Sequence, residues 1–257
     1  MDAEFLEQKL SGQKLAVIKI TSDDDSNDAF LEILASVGKI MGVDAKVMDQ
    51  IGDDGFKQAE QWGADIYTFS NDSDFVARNL NADRVIHSNP ASSRIFVAAL
   101  EMLNGGSLKG EQVLVLGLGP VGYFATERLL ELGAHPVVYD ISQARSISLY
   151  KILPEVDILL KDTDLEKTLL HNRDLLIFES VPQKNILSEE TMQNIFCQVT
   201  PIVSAPGVPL SWPENWLWNE TPPRLFHEPL MMGTASMLAG LCNEDYDQRY
   251  ALSYPLP

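Results

Sequence analysis

Three glycines and one acid carry the clearest chemistry in this chain. Gly117, Gly119 and Gly122 stand in the run Val113-Leu-Val-Leu-Gly117-Leu-Gly119-Pro-Val-Gly122, and Asp140 closes His-Pro-Val-Val-Tyr-Asp, eighteen residues beyond Gly122. An apolar strand feeding Gly117 needs a tight turn there, and Gly119 has no side chain to keep a phosphate from the backbone. Gly122 lets the next helix pack closely on the sheet, with its N-terminal amides toward an anion. An acid at the distance of Asp140 suits a ribose 2′-hydroxyl and disfavours a 2′-phosphate. Strand, turn, helix and acid in this order point to NAD. Arg145, five residues past Asp140, is the one hint toward NADP, and the acid's earlier position outweighs it. A degenerate crevice, or one for another nucleotide, is the bland alternative.

Strand-like and helix-like segments alternate around this motif. Lys14 to Ile20, Val43 to Met48, Ala64 to Phe69 and Arg84 to His87 read as strands. Phe30, Ile33, Leu34, Val37 and Met41 form one helical stripe, Gly55 to Trp62 a short helix, and Phe75 to Leu80 another. This makes a small α/β domain over residues 1–90. Residues 91–107 read as a connecting helix ending at Asn104-Gly105-Gly106. From 108 to 242, strands near 112–117, 135–140, 156–160, 174–179, 199–204 and 224–228 fit a doubly wound, parallel Rossmann domain. A closing helix around Thr234 to Leu241 is expected to pack back against the first domain, and residues 243–257 form a tail.

An active cleft is expected between the domains, where loops at strand ends converge. Thr21 to Ser26, Ser70 to Asp74, Glu179 to Pro182, Ser204 to Pro209 and Glu228 to Leu230 are the segments that would face it. Asp23 to Ser26 also suit a helix cap. Pro206-Gly207 reads as a turn or as a place where a nicotinamide ring lies against the backbone. Glu228, ahead of Pro229, is costly to bury without a partner or ligand. His87 and His227 could approach the cleft, whereas His135 and His171 look like surface positions. Trp212, Trp216 and Trp218 suit a packed surface loop or, less simply, a substrate wall.

Composition narrows the partners. With 37 acids against 19 bases, the formal net charge of -18 repels nucleic acid and anionic membrane surfaces, and it favours a substrate carrying ammonium groups if it does more than keep the protein in solution. Cys197 and Cys242 lie far from any matching Cys or His, so neither a disulfide framework nor a metal site is expected. No stretch reaches the eighteen or so apolar residues of a membrane span, and the first residues lack a signal peptide's apolar run. A cytoplasmic protein is expected, and a homo-oligomer is compatible with the sequence.

The segment Val113 to Tyr123, the loop Ser204-Ala-Pro-Gly-Val-Pro and above all Glu228-Pro-Leu-Met-Met-Gly-Thr-Ala-Ser-Met-Leu238 resemble the PylD family, the dehydrogenases of pyrrolysine biosynthesis. The resemblance extends to Ile18-Lys-Ile-Thr-Ser22, Phe75 to Leu80 and Phe178 to Pro182, and covers roughly residues 14–242. It implies an amine oxidation, with NAD as acceptor, at the terminal CH–NH2 of lysine acylated on its side chain by 3-methylornithine. The product condenses with the α-amine, ammonia is lost and a pyrroline ring closes. No catalytic lysine is required. The resemblance places Ser22, Asn71 and Asp72 on the substrate's polar ends. It places Gly119, Pro120, Val121 and Asp140 on NAD, with Val181, Pro182, Pro206 and Gly207 near the nicotinamide. Asp72 is the first carboxylate to steady the ammonium and Glu228 the second, and a water relays the proton.

The chain departs from the family in three places. Family members carry a longer, largely helical stretch before the first strand, which helps to close over the substrate; here residues 1–13 precede Lys14. Asn71-Asp72 stands where the family has two adjacent acids. The tail carries Tyr246, Tyr250 and Tyr254 at every fourth position and is expected to replace the lid, to pack on a neighbour or to stay disordered. Another NAD-dependent amine, amino-acid or hydroxy-acid dehydrogenase, or a non-catalytic nucleotide-binding module, remains the alternative on this scaffold.

Overall fold

Leu15, Ala16, Val17 and Ile18 are each no more than 1% exposed. That is what an apolar run must reach when helices or loops cover both faces of its sheet. The computed structural model of the protein describes residues 12–20, 28–71, 74–172, 175–181, 202–205, 225–226, 229–242 and 254–256. Residues 1–92 with 230–253 form one unit, and residues 93–229 with 254–257 a second.

In the first unit, β1 (Lys14–Ile18), α1 (Asp28–Ile40), β2 (Asp44–Val47), α2 (Gly52–Trp62), β3 (Ile66–Asn71), β4 (Asp74–Asn79) and β5 (Arg84–His87) follow in order. The sheet runs β2-β1-β3-β4-β5, with β1 parallel to both neighbours and β4 antiparallel to both of its own. Helix α1 buries Leu31, Leu34, Ala35 and Val37 against the sheet. Ile33, expected on that stripe, is instead 37% exposed, because the buried face is rotated toward Leu31 and Ala35. Gly38 allows the close approach, since a Cβ there would meet Leu15 Cδ2 at 2.8 Å.

The helix expected over Phe75 to Leu80 is strand β4. It pairs along the whole of β3, from Ile66 opposite Asn79 to Asn71 opposite Asp74. Six residues are too few to sustain an isolated helix. The outer edge of β3, left bare, would present a row of unsatisfied amides and carbonyls. Hairpin pairing satisfies both strands, so Asn71 ends a strand that is paired with the next strand and does not lead into a helix.

Helix α3 (Ser88–Leu103) begins in the first unit and continues from Ser93 in the second. Helix α7 (Pro229–Cys242) returns to the first unit, where Met237, Leu238 and Leu241 join the core with Leu15, Val17, Ile66 and Ile86. Arg84 Nη1 donates to the Leu241 carbonyl at 3.0 Å, and Ser236 Oγ to that of Ala91 at 2.8 Å. The grouping of residues 108–242 in one domain therefore gives way to a first unit that is discontinuous in sequence.

The second unit contains β6 (Gln112–Leu116), α4 (Pro120–Glu131), β7 (His135–Tyr139), α5 (Gln143–Ile152), β8 (Asp157–Leu159), α6 (Asp162–His171), β9 (Leu176–Glu179), β10 (Ile202–Ser204) and β11 (Leu225–Phe226). Every described pairing is parallel, in the order β11-β10-β9-β6-β7-β8. Counted within the unit this is the dinucleotide-binding order, whose direction reverses between β6 and β9. Val113 and Val115 fill the core on one face of the sheet, Leu114 and Leu116 that on the other. A strand buried on both sides thus reads as one continuous apolar run. Among the described residues no helix is long and apolar enough to cross a membrane.

Candidate functional site

In a doubly wound sheet ligands bind beyond the carboxyl ends of the strands at the reversal point, here β6 and β9, and the glycine-rich turn follows β6 there. Gly117 leaves β6 with φ +90, a left-handed conformation that side chains rarely adopt, and its N–H donates to the Tyr139 carbonyl at 2.8 Å. A Cβ on Gly117 would meet Val181 Cγ2 at 3.0 Å, so Val181 packs beside the turn. Gly122 is tighter. A Cβ there would lie 1.9 Å from the Gly117 carbonyl oxygen and 2.5 Å from Ser180 Oγ. At Gly119 no described residue lies within 4 Å of such an atom.

The three glycines therefore divide the work. Gly117 bends the chain, Gly122 brings α4 onto the sheet, and Gly119 keeps space open at the helix N-cap. Pro120 occupies the first helical position, where its missing N–H costs nothing. Helix geometry leaves the N–H groups of Gly119, Val121 and Gly122 without a carbonyl one turn back. Together with the helix dipole they form an anion site. The open side of Gly119 is the cradle that a pyrophosphate requires, so the residues fit a dinucleotide.

Asp140 follows directly on β7 and is 6% exposed. Its Oδ2 accepts the Leu118 N–H at 2.6 Å, and its Oδ1 that of Ser142 at 2.7 Å. The acid thus braces the turn and opens α5. A carboxylate has about four lone-pair sites, so two accepted amides leave capacity for ribose hydroxyls. Next to it, burial and the hydrogen bond to Asp162 push the Tyr139 phenol up to about 12.

Leu116, Glu179 and Ser204 lie side by side at the carboxyl edge of β6, β9 and β10. Glu179 and Ser204 are fully buried, and Ser204 Oγ has no hydrogen-bond partner among the described residues. An unmet buried hydroxyl at a sheet's ligand edge is uncommon enough to mark the position.

Ser180 and Ser93 add support that motif reading overlooked. Ser180 Oγ donates to the Gly117 carbonyl at 2.9 Å, and Ser93 Oγ to that of Val121 at 2.7 Å. Ser180 could have been suspected, since it follows a strand beside the reversal point. Ser93, on a helix of different sequence neighbourhood, gives no such signal.

Asn71 ends β3 at the carboxyl edge of the parallel part of the first sheet. Ser22, Asp72, Pro182, Pro206, Gly207, His227 and Glu228 lie outside the described residues. His135 and His171 are exposed, as expected, and His171 Nδ1 is 2.8 Å from the Lys167 carbonyl. Trp62 sits beneath Lys14 Nζ and Lys46 Nζ, at 5.3 and 5.9 Å from its ring, which accounts for it as structure. Among the described residues no three His, Cys, Asp or Glu gather as metal ligands.

Known proteins agree with this architecture. A shikimate dehydrogenase from Aquifex aeolicus shares the fold with a TM-score of 0.60 at 12% identity, over 94% of this chain and 98% of its own. Quinate dehydrogenase from Corynebacterium glutamicum, solved in complex with NAD, aligns with a TM-score of 0.50 at 11% identity over 95% of each chain. In sequence, the pyrrolysine synthase of Methanosarcina barkeri (strain Fusaro) is 28% identical over 229 residues, 89% of this chain and 81% of that protein. The family described as pyrrolysine biosynthesis protein PylD, N-terminal domain, matches residues 1–86. The resemblance read from the sequence is thus borne out: residues 1–86 match the PylD N-terminal domain, and similarity to a pyrrolysine synthase runs through most of the chain.

Proposed function

We propose that this protein is an NAD-dependent dehydrogenase of pyrrolysine biosynthesis, acting on the terminal amine of 3-methylornithyl-N6-lysine. The observation that carries this reading is the union, in one chain, of a PylD N-terminal domain with a turn whose open side at Gly119 fits a pyrophosphate. The pyrrolysine synthase relative supports the pathway, and the NAD complex of the quinate dehydrogenase supports the coenzyme class.

When bound, NAD supplies a two-electron acceptor; the chain supplies position and electrostatics. The amides of Gly119, Val121 and Gly122 hold the pyrophosphate, and Asp140 takes the adenosine ribose. Val181, with Pro182, Pro206 and Gly207, flanks the nicotinamide end. Ser22 and Asn71 bind the polar ends of the substrate, and Asp72 steadies its ammonium, with Glu228 as the second carboxylate. The ammonium first gives a proton to water. The amine carbon then surrenders two electrons and a hydrogen, leaving an iminium. The α-amine attacks that carbon, ammonia departs, and a second proton loss closes the C=N bond of the ring. This chemistry needs a small cationic substrate, with which the chain's negative charge agrees, and it assigns the protein no nucleic-acid or membrane role. Its setting would be the cytoplasm.

The test combines reduced-coenzyme absorbance with mass spectrometry of the product. NAD reduction on adding methylornithyl-lysine, with loss of two hydrogens and one ammonia from the substrate, is expected. Turnover of simpler amines or hydroxy acids alone would replace the substrate assignment, and NAD binding without any turnover would replace the enzymatic one.

A further inference from the structure

The last described residues, 254–256, belong to the nucleotide-binding unit and reach a turn more than a hundred positions earlier in the chain. Tyr254 Oη donates a 2.5 Å hydrogen bond to the carbonyl oxygen of Leu118. The Tyr254 ring meets Tyr123 nearly edge-on, with centroids 5.9 Å apart at 77°. Leu256, 7% exposed, is buried in the same core cluster as Leu118, Tyr123 and Phe124. The segment is therefore anchored by packing on both sides of the hydroxyl.

The Leu118 carbonyl and the Gly119 N–H are the two ends of a single planar peptide unit, and in a trans peptide they point in opposite directions. Fixing the carbonyl on one side thus aims the N–H toward the other. The preceding peptide is already held twice, through the Leu118 N–H on Asp140 and the Gly117 carbonyl on Ser180 Oγ. The next one adjoins a glycine with open space around it, where the backbone has the widest choice of conformation. Burial pushes the Tyr254 phenol up, with the nearby Arg145 charge acting in the opposite sense, so the hydroxyl keeps its proton at neutral pH.

We propose that Tyr254 is a positioning residue for the coenzyme: its hydroxyl orients the Leu118–Gly119 peptide so that the Gly119 N–H faces the pyrophosphate, making the end of the chain part of the dinucleotide site. This rests on the reading of the turn as a dinucleotide site. Prior orientation spares the ligand the entropic cost of ordering the turn itself.

The experiment uses the full chain and Tyr254→Phe, which keeps the ring on Tyr123 and removes only the donor. Calorimetry with NAD, ADP-ribose and adenosine separates pyrophosphate recognition from general damage to the site. In the variant, NAD and ADP-ribose are expected to bind about three- to tenfold more weakly, the worth of one hydrogen bond. Adenosine binding is expected to stay near that of the unaltered chain, and the melting temperature to fall by no more than about 1–6 °C, the loss of one part-buried hydrogen bond. Equal NAD affinity in the two proteins, or a matching loss for adenosine, would overturn the role of Tyr254 and leave the dinucleotide reading standing. Failure of the unaltered chain to bind either pyrophosphate ligand would overturn both.

Discussion

Gly119 and Gly122 stand three residues apart in one turn, yet a methyl group on each meets opposite surroundings, and this separates folding from binding. At Gly122 an added Cβ falls 1.9 Å from the Gly117 carbonyl oxygen, 1.1 Å inside the 3.0 Å limit that real Cβ atoms respect. The opposing atom is backbone and cannot swing away, so α4 must lift from β6. Gly122→Ala is expected to reach the upper end of the about 1–3 kcal/mol typical of overpacking. At roughly 2–4 °C per kcal/mol for a chain of this size, the melting temperature should fall by about 6–12 °C.

Gly119→Ala meets no described residue within 4 Å and should cost only the difference between Gly and Ala at a helix N-cap, about 0.5–1 kcal/mol. Its methyl instead occupies the phosphate's approach. NAD affinity is expected to drop at least about tenfold, or ~1.4 kcal/mol. Circular-dichroism melts without ligand and calorimetric titration with NAD measure the two effects separately. Equal melting losses for the two variants would refute the close approach at Gly122. Full-strength NAD binding by Gly119→Ala would show that the open side of the N-cap is not where the pyrophosphate lies.

Asp140→Ala should weaken NAD more than NADP, because it removes a ribose acceptor and also a charge that repels a 2′-phosphate; equal losses in parallel titrations would remove the acid from that role. Tyr139 gives a pH signature. Its phenol is raised from 10 to about 12 in the folded state, so the stability it contributes is complete below pH 10 and disappears as pH rises toward 12. Two pH units correspond to about 2–3 kcal/mol, and Tyr139→Phe should flatten that alkaline decline in urea titrations; an unchanged slope would contradict the Tyr139–Asp162 bond. Ser93→Ala should remove the second donor from the Val121 carbonyl, which keeps its helical one, and cost about 0.5–1.5 kcal/mol, measured by thermal melts; an unchanged melt would mean that water takes over.

The second unit was legible because parallel strands buried on both faces must be apolar throughout. Runs such as Val113 to Leu116 and Leu176 to Phe178 announce themselves between glycines and polar turns. The place of Asp140 at the end of β7 was equally readable, since it depends on a chain distance that strand, turn and helix lengths fix. Phe75 to Leu80 was not. A short apolar stretch suits a helix or a strand equally, and what decides it is the bare edge of β3, which local composition does not contain. Tyr254 is the extreme case. Its spacing with Tyr246 and Tyr250 suggests a helical stripe, while its contact is with a carbonyl 136 positions away. On the substrate side, Ser22, Asp72 and Glu228 fall in segments where pattern alone assigns no geometry.

The double duty of Asp140 bears on any attempt to redesign coenzyme preference. A neutral residue with no side-chain acceptor, such as Ala, would admit an extra phosphate but also release the Leu118 and Ser142 amides, so the exchange would slacken the anion cradle proposed for either coenzyme. On the proposed NAD reading, conversion to NADP therefore calls for two coordinated changes: Asp140→Asn or Asp140→Ser, which keeps an acceptor for the loop, and a cation placed farther along α5 to meet the phosphate.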